Sequence, residues 1–330
     1  MQRVRLTGFG EPPDVFDLET VSGEPEPGPG EVLVAMEAAA INPSDLRLAR
    51  GAYGIRPALP FPMGAEGVGR VSRAGIGVDT LLEGKRVLIV PNSEQGTWAS
   101  HVVAPVRNVV PVSEATHPAQ LAMLGINPAT AYLMLKQYVH LMPGDWIAQT
   151  AANSAVGQYV IALAKMSGVK TLNVVRSQDA SAHVREFGGD RVVIQGENLP
   201  KEIEDALGGQ ALSLVLDPVG GEPVGILAGS LRIGGVVIAY GNQSGEAPVF
   251  PPREFIFRGL QLHGFWLSRW IRSVPRSEVI DLYQKLGTFV ADGALSAVVE
   301  RVYPLEQFKD AIGHAMRSSR GGKILFRFNE

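Results

Sequence analysis

The sequence predicts an α/β protein, with a doubly wound parallel sheet inserted in a smaller, mostly β domain. Three observations predict it. The first third of the chain is a series of short β-rich runs separated by Gly and Pro. From about residue 121 to 266, short apolar runs alternate with helical patterns, which is how a parallel sheet covered on both faces reads. A last β run comes after that alternation, so the chain is expected to return to its first domain. The expected division is 1–121 for the β domain, 122–266 for the inserted sheet and 267–330 for the return.

The elements follow in order. Glu31–Met36, Gly67–Val71 and Lys85–Val90 read as strands of a compact β barrel or sandwich, and Gly23–Gly30 reads as a turn-rich connection. The inserted sheet begins with Trp146–Gln149, then a turn and a helical run, Gln158–Lys165. Strand Lys170–Val175, a charged helix through Phe187, strand Arg191–Ile194, a short helix, strand Leu212–Asp217, a helix and strand Val236–Tyr240 complete it. Right-handed crossovers make this repeat a doubly wound, Rossmann-type sheet. The tail reads as a helix at about Arg276–Asp292, strand Ala297–Val302, a helix near Leu305–Arg317 and strand Lys323–Phe328.

Composition narrows the function classes. A chain of 330 residues suggests two domains at roughly 150 residues each. With 45% hydrophobic and 19% charged residues it can bury real cores. A net charge of −3 gives no global reason to expect nucleic acid as a partner. The absence of cysteine removes disulfides, thiolate catalysis and cysteine-based zinc sites. No apolar stretch is long enough to predict a membrane span, and Met1–Leu6 runs directly into a strand-like pattern, so the cytoplasm is the expected location.

The turn after the first parallel strand reads Ala151-Ala152-Asn153-Ser154-Ala155-Val156-Gly157. A G-x-G-x-x-G fingerprint would put glycine at 152, 154 and 157, and only Gly157 is present. Its context is the stronger signal: a strand before, a helix after, and a second strand about twenty residues on. Backbone N–H groups at a helix N-terminus can face a pyrophosphate, and Ser154 adds a hydroxyl. A turn serving packing alone is the other reading. The second strand ends in Arg176-Ser177-Gln178, where an NAD site would carry Asp or Glu. Arginine there favours a 2′-phosphate, and so NADPH as cofactor.

Further runs point to one family. Ile41-Asn42-Pro43-Ser44-Asp45, Gly51-Ala52-Tyr53-Gly54 and Gly64-Ala65-Glu66-Gly67-Val68 resemble the GroES-like catalytic domain of the medium-chain dehydrogenases/reductases. Asn127–Tyr132, the turn at Asn153–Gly157, Asn173–Arg176 and Gly264–Trp270 together resemble the mitochondrial-type trans-2-enoyl thioester reductases of that family. The resemblance implies roles. Tyr53 matches a proton donor, and Trp266 stands with it as a catalytic candidate. Asn127 matches a residue on the nicotinamide side of the cofactor, and Asn153, Ser154, Ala155 and Val156 the pyrophosphate turn. Arg176, with Ser177 and Gln178, matches the 2′-phosphate contact, and Tyr240, Gly241, Asn242 and Gln243 a loop after the fifth strand. Phe265, Trp266 and Leu267 match the segment bordering nicotinamide and substrate, and Lys323 a late lysine near the cofactor. Gln178 replaces a common second basic residue and Ala155 a common glycine. Zinc-dependent relatives carry Gly-His-Glu where this chain has Gly64-Ala65-Glu66, and the histidines at 101, 117, 140, 183, 263 and 314 show no ligand spacing, so no metal is expected.

The implied reaction is NADPH-dependent reduction of the C2=C3 bond of a 2-enoyl thioester. It needs the reacting carbons held in line, donors for the enolate oxygen and a proton for the α-carbon. Trp266 and Trp270 can wall an acyl channel or simply pack. Arg47, Arg50 and Arg56 can meet coenzyme A phosphates or an acidic acyl carrier protein, or lie solvated. A homodimer is implied by resemblance, with Ala297–Val302 and the Phe265 region as interface candidates. Two rival readings remain: a quinone or enone reductase on the same scaffold, and a noncatalytic NADPH-binding protein with a structural or RNA-binding role.

Overall fold

The computed structural model describes residues 1–91, 94–317 and 320–328. The chain opens with β1 (Gln2–Leu6), β2 (Phe16–Thr20), β3 (Glu31–Ala40), α1 (Pro43–Ala49), β4 (Phe61–Pro62), β5 (Gly67–Ala74), β6 (Arg86–Ile89), β7 (His101–Pro105) and β8 (Val109–Pro111). Helices α2 (Pro118–Leu121) and α3 (Asn127–Gln137) follow. Then come β9 (Trp146–Gln149), α4 (Ala155–Met166), β10 (Lys170–Val175), α5 (Gln178–Glu186), β11 (Arg191–Ile194), α6 (Leu199–Leu207), β12 (Leu212–Asp217), α7 (Glu222–Gly229), β13 (Leu231–Ala239), α8 (Pro252–Arg258) and β14 (Gln261–Gly264). The last elements are α9 (Leu267–Ser273), α10 (Arg276–Ala291), β15 (Val299–Pro304), α11 (Phe308–Ala315) and β16 (Lys323–Arg327).

The chain forms two compact units, one of 1–129 with 268–330 and one of 130–267. The sequence reading put these divisions at 121/122 and 266/267.

The first unit holds a seven-stranded sheet in the order β15-β16-β3-β5-β6-β8, with β7 also on β3, and a three-stranded sheet β2-β1-β4. Strand β3 is its centre. The sequence pattern ends that strand at Met36, because Glu37-Ala38-Ala39-Ala40 has no strand propensity of its own. Tertiary pairing overrides the propensity: Ala38, Ala39 and Ala40 pair with Arg327, Phe326 and Leu325 of β16. That register is the return of the chain to its first domain. The core beneath holds Val4, Leu6, Met36, Trp98 and Phe326, with Trp98 edge-on to Phe16 and Phe326 at 5.7 and 5.3 Å.

Helix α1 occupies a stretch to which the sequence reading assigned no element. Asn42 stands at its N-cap, Pro43 in its first turn, and Asp45 accepts the Asn42 backbone N–H at 2.8 Å. That is half of a capping box with proline where its missing N–H costs nothing.

The second unit is a six-stranded sheet in the order β11-β10-β9-β12-β13-β14, every neighbouring pair parallel. Chain order therefore reads 3-2-1-4-5-6, which reverses between β9 and β12. The buried runs LSLVLD in β12 and TLNVV in β10 have both faces covered, as a central parallel strand requires.

Candidate functional site

In the second unit, five strand ends meet along one edge of the sheet. Residues 151–157 follow β9, Arg176 follows β10, Asp217 ends β12, Tyr240–Gln243 follow β13, and Phe265–Leu267 follow β14. Because the sheet is parallel, these are all carboxyl ends, and the strand order reverses between β9 and β12. In open α/β sheets that crevice is where ligands bind.

The turn at 151–157 is built locally. Ala151 has φ 48°, the only non-glycine with positive φ among the described residues. Such a conformation is strained and persists where surroundings enforce it. Ser154 caps α4, its hydroxyl oxygen accepting the Gly157 N–H at 3.2 Å. This hydroxyl is therefore engaged with its own helix. Gly157 has no freedom to be anything else: a Cβ there would lie 2.3 Å from the Ala152 carbonyl oxygen. Ala152 is fully buried, Asn153 is exposed, and Ala155 and Val156 lie half-buried in the first turn of the helix.

Sequence reasoning missed the group that ties the strand ends together. Asp217, 1% exposed, accepts from Thr150 Oγ1 at 2.5 Å, from the Val219 N–H at 3.2 Å and from the Gly220 N–H at 2.8 Å. It thus links the end of β9 to the loop after β12, across the reversal. The signal was there: an acid closing an apolar strand just before Pro-Val-Gly-Gly. Burial, with the Asp217 carboxylate nearby, holds the Tyr240 phenol well above its ordinary range. The Gln243 N–H donates to the Pro218 carbonyl at 2.9 Å, so the 240–243 loop rests on the 217–220 loop.

Arg176 is exposed, and its guanidinium has no partner among the described residues. Ser177 is committed elsewhere, capping α5 through the Ala180 N–H at 3.3 Å, and Gln178 is the exposed first residue of that helix. Phe265 is buried, edge-on to Tyr138 at 6.5 Å, Leu267 is buried and Trp266 is half-buried.

In the first unit, a buried polar cluster draws on five separate stretches of chain. Lys323, from β16, donates from Nζ to the Ile41 carbonyl at 3.1 Å and to Asn42 Oδ1 at 2.6 Å. Asn42 Nδ2 donates to Glu66 Oε1 at 2.8 Å. Glu66 Oε2 accepts the Ile126 N–H at 2.7 Å. Asn127, the first residue of α3, turns its Nδ2 toward Glu66 Oε1 at 3.4 Å and Asn42 Oδ1 at 3.5 Å. Tyr283 adds a hydrogen bond to the Gly125 carbonyl at 2.8 Å. Asn42, Asp45, Glu66, Asn127 and Lys323 are all buried.

Burial dominates the electrostatics here. It pushes Asp45 up to about 7, against hydrogen bonding from Asn42 and attraction to Lys323. It also raises Glu66, opposed by Lys323 and by hydrogen bonds from Asn42 and Ile126, and it lowers Lys323, opposed by Glu66 and Asp45.

The structure brings Asn127 and Lys323 into one network through Asn42 and Glu66, neither of which the sequence reading gave a role. Tyr53 lies elsewhere in the unit, half-buried in its loop and packed against the core. The three arginines near it are not a loose basic patch. Arg50 pairs with Glu11 at 2.8 Å, and Arg56 sits 4.2 Å from the centre of the Phe9 ring. Among the described residues no group of three or more His, Cys, Asp or Glu could hold a metal ion, and no helix is long and apolar enough to cross a membrane.

Comparison with known proteins matches residues 28–114 to the alcohol dehydrogenase GroES-like domain and 155–285 to the zinc-binding dehydrogenase model. A mitochondrial enoyl-[acyl-carrier-protein] reductase of Caenorhabditis elegans is 35% identical over 87% of this chain and 84% of its own. Among solved structures, a Bacillus thuringiensis protein named as an NADPH:quinone reductase superposes with a TM-score of 0.92 at 27% identity, covering 99% of each chain. A complex of Etr1p with NADP and crotonyl-CoA superposes with a TM-score of 0.87 at 26% identity, again over 99% of each.

Proposed function

The chain belongs to the medium-chain dehydrogenase/reductase family, with enoyl-[acyl-carrier-protein] reductases as its relatives, and from that premise we propose that it reduces the C2=C3 bond of 2-enoyl thioesters with NADPH. The observation that carries this reading is the row of carboxyl strand ends in the parallel sheet, with an unpartnered arginine at the end of β10.

The residues present fit a dinucleotide with a 2′-phosphate. The start of α4 offers backbone N–H groups to a pyrophosphate, with Gly157 letting the helix approach the strand closely. Arg176 offers a free guanidinium to the 2′-phosphate. Asn242 and Gln243 border the same edge, as do Phe265, Trp266 and Leu267. When bound, NADPH supplies the hydride that adds to the β-carbon. Tyr53 is the proposed proton donor to the α-carbon, from a glycine-flanked loop that lets a ligand approach. Trp266 is proposed to border the acyl group. The chemistry requires no Lewis acid, and a chain without cysteine offers none of the thiolates of a structural zinc site.

The thioester is proposed to be a coenzyme A or acyl carrier protein derivative. A homodimer is proposed on the edge strands: Leu262 of β14 is 46% exposed, and Val298 and Val302 at β15 are 41% and 38% exposed. The cysteine-free composition supports a reducing compartment, with the cytoplasm proposed.

The test is nicotinamide oxidation with crotonyl-CoA, a longer 2-enoyl-CoA and a simple quinone side by side. Turnover of the thioesters well above the quinone supports the reading. Quinone turnover alone favours the second reading, an NADPH:quinone reductase, which the Bacillus thuringiensis likeness supports. NADPH binding without any turnover favours a noncatalytic protein. Arg176→Ala is expected to weaken NADPH binding about tenfold or more while leaving NADH nearly unaffected.

A further inference from the structure

Within the first unit, the loop that carries Tyr53 is gripped on both sides by one short stretch, residues 9–11. The Gly10 N–H donates to the Ala49 carbonyl at 2.9 Å, where α1 ends. Arg50, the next residue, holds Glu11 with two donors, Nε to Oε1 at 2.9 Å and Nη2 to Oε2 at 2.8 Å. On the far side of Tyr53, the Arg56 guanidinium lies 4.2 Å from the centre of the Phe9 ring. The loop also closes on itself. Gly51 starts it at φ 68°, and a Cβ there would meet Arg56 Nη1 at 3.2 Å and the Phe9 ring at 3.6 Å. Between the two anchors, Tyr53 and Ile55 pack against the core while Ala52 and Gly54 are exposed. Gly51 and Gly54 would leave the backbone around Tyr53 with wide freedom, and the anchors at 50 and 56 remove it.

Neither anchor is placed to stabilise the unit as a whole. Both arginines lie at the surface, and the Arg50 and Glu11 side chains are 38% and 65% exposed. Exposed ion pairs and ring contacts add little to global stability, but local opening of a loop is governed by such weak contacts. We propose that Phe9 and Glu11 are positioning residues: by clasping Arg56 and Arg50 on either side of Tyr53, they fix the loop and so the place of the Tyr53 hydroxyl. This rests on the reading of the chain as an enoyl thioester reductase with Tyr53 as the proton donor. A donor must lie within hydrogen-bond reach of the atom it protonates, and small displacements of a reacting group cost rate steeply. A loosened clasp therefore lowers kcat without weakening the nucleotide.

The experiment uses Glu11→Gln, Phe9→Leu and the double variant of the full chain. Changing these two residues leaves every arginine in place. Each single variant is expected to lower kcat for crotonyl-CoA about threefold and the double variant about tenfold. KM for NADPH and the unfolding midpoint are expected to stay near wild type. The Gly51 and Ala52 amides donate to the Leu48 and Arg47 carbonyls at 3.0 and 2.9 Å. Their hydrogen exchange without ligand is expected to quicken severalfold in the double variant, with the sheet amides unchanged. On the residual activity of Tyr53→Phe, the double variant is expected to cause no further loss, which a merely structural role would not produce. Exchanging the pair, Glu11→Arg with Arg50→Glu, is expected to restore most of the rate lost in Glu11→Gln. If Phe9→Leu does not fold, Arg56→Gln removes the same contact from its other side and is read the same way. With an active wild type, a folded double variant that keeps wild-type kcat, or wild-type exchange at Gly51 and Ala52, overturns the proposal alone. So does a loss that persists undiminished in Tyr53→Phe. A wild type that does not reduce 2-enoyl thioesters overturns the functional reading, and this proposal with it.

Discussion

The turn at 151–157 and the cluster around Glu66 each hold polar groups in place, and they do so by opposite means. The turn is contiguous. Its cap, its close approach and its strained residue lie within seven positions, and contacts between near neighbours in sequence do the holding. The cluster is assembled from residues 41–45, 66, 126–127 and 323, and side chains do the holding. The Lys323–Asn42 hydrogen bond joins residues 281 apart in sequence. Local order of the first kind is cheap to specify, because neighbouring residues need no long-range pairing to meet. The second kind exists only once β16 has paired with β3, so it depends on the whole fold of its unit.

The largest expected effect breaks the cluster. Lys323→Met removes the cation that faces the buried carboxyls of Asp45 and Glu66. A loss of about 3 kcal/mol of stability is expected by denaturant unfolding. Retention of wild-type stability would mean that the cluster is held by packing alone.

A slightly smaller effect breaks the turn. Gly157→Ala forces a methyl to within 2.3 Å of the Ala152 carbonyl oxygen. The helix must move off the strand, and a destabilisation of about 2 kcal/mol is expected, with a greater proportional loss of NADPH affinity. A crystal structure of the variant with an unshifted α4 would contradict this account.

The pH dependence sharpens the contrast, because only the cluster buries a carboxyl that titrates near neutrality. Asp45 rises from 3.8 to about 7 on folding. Between those values the folded protein holds a proton that the unfolded chain has released. Stability from this group therefore falls as pH rises through that window and stays lower above it. Asp45→Asn does not titrate, and its Oδ1 can still accept the Asn42 N–H. Its stability relative to the wild type is expected to improve progressively between about pH 4 and 7. Unfolding curves across that range, showing a constant difference between the two proteins, would sink the assignment.

The smallest effect lies back in the turn. Ser154→Ala loses the cap on the Gly157 N–H and is expected to cost about 1 kcal/mol. NADPH affinity should follow only modestly, since the hydroxyl serves the helix first. A loss of affinity beyond about tenfold would show that the hydroxyl meets the phosphates directly.

Much of the fold was legible because it is periodic. The strands at 170–175, 191–194 and 212–217 coincide with their apolar runs, and the β-α alternation implied the parallel sheet. The contiguous turn and the strand-end arginine were legible for the same reason, each being a local feature in a local context. Helix α1 carried an overlooked signal in Asn42-Pro43 and in Asp45 three positions after the cap. The alanines of β3 carried none, since their strand state comes from partners far away in sequence.

The sequence by itself determined the kind of fold, the family, and the chemistry available at the turn after β9, because each is encoded in residues next to one another or in a repeat period. It also supplied Asn127 and Lys323 as names without a connection. Only the tertiary structure decided that Asn42 and Glu66 join them, that Asp217 ties two strand ends across the reversal of the sheet, and that Arg50 and Arg56 are already engaged. Those facts depend on which segments become neighbours. A hydrogen bond between residues hundreds apart leaves no trace in local composition, and a buried charge declares itself only when its partners are in place.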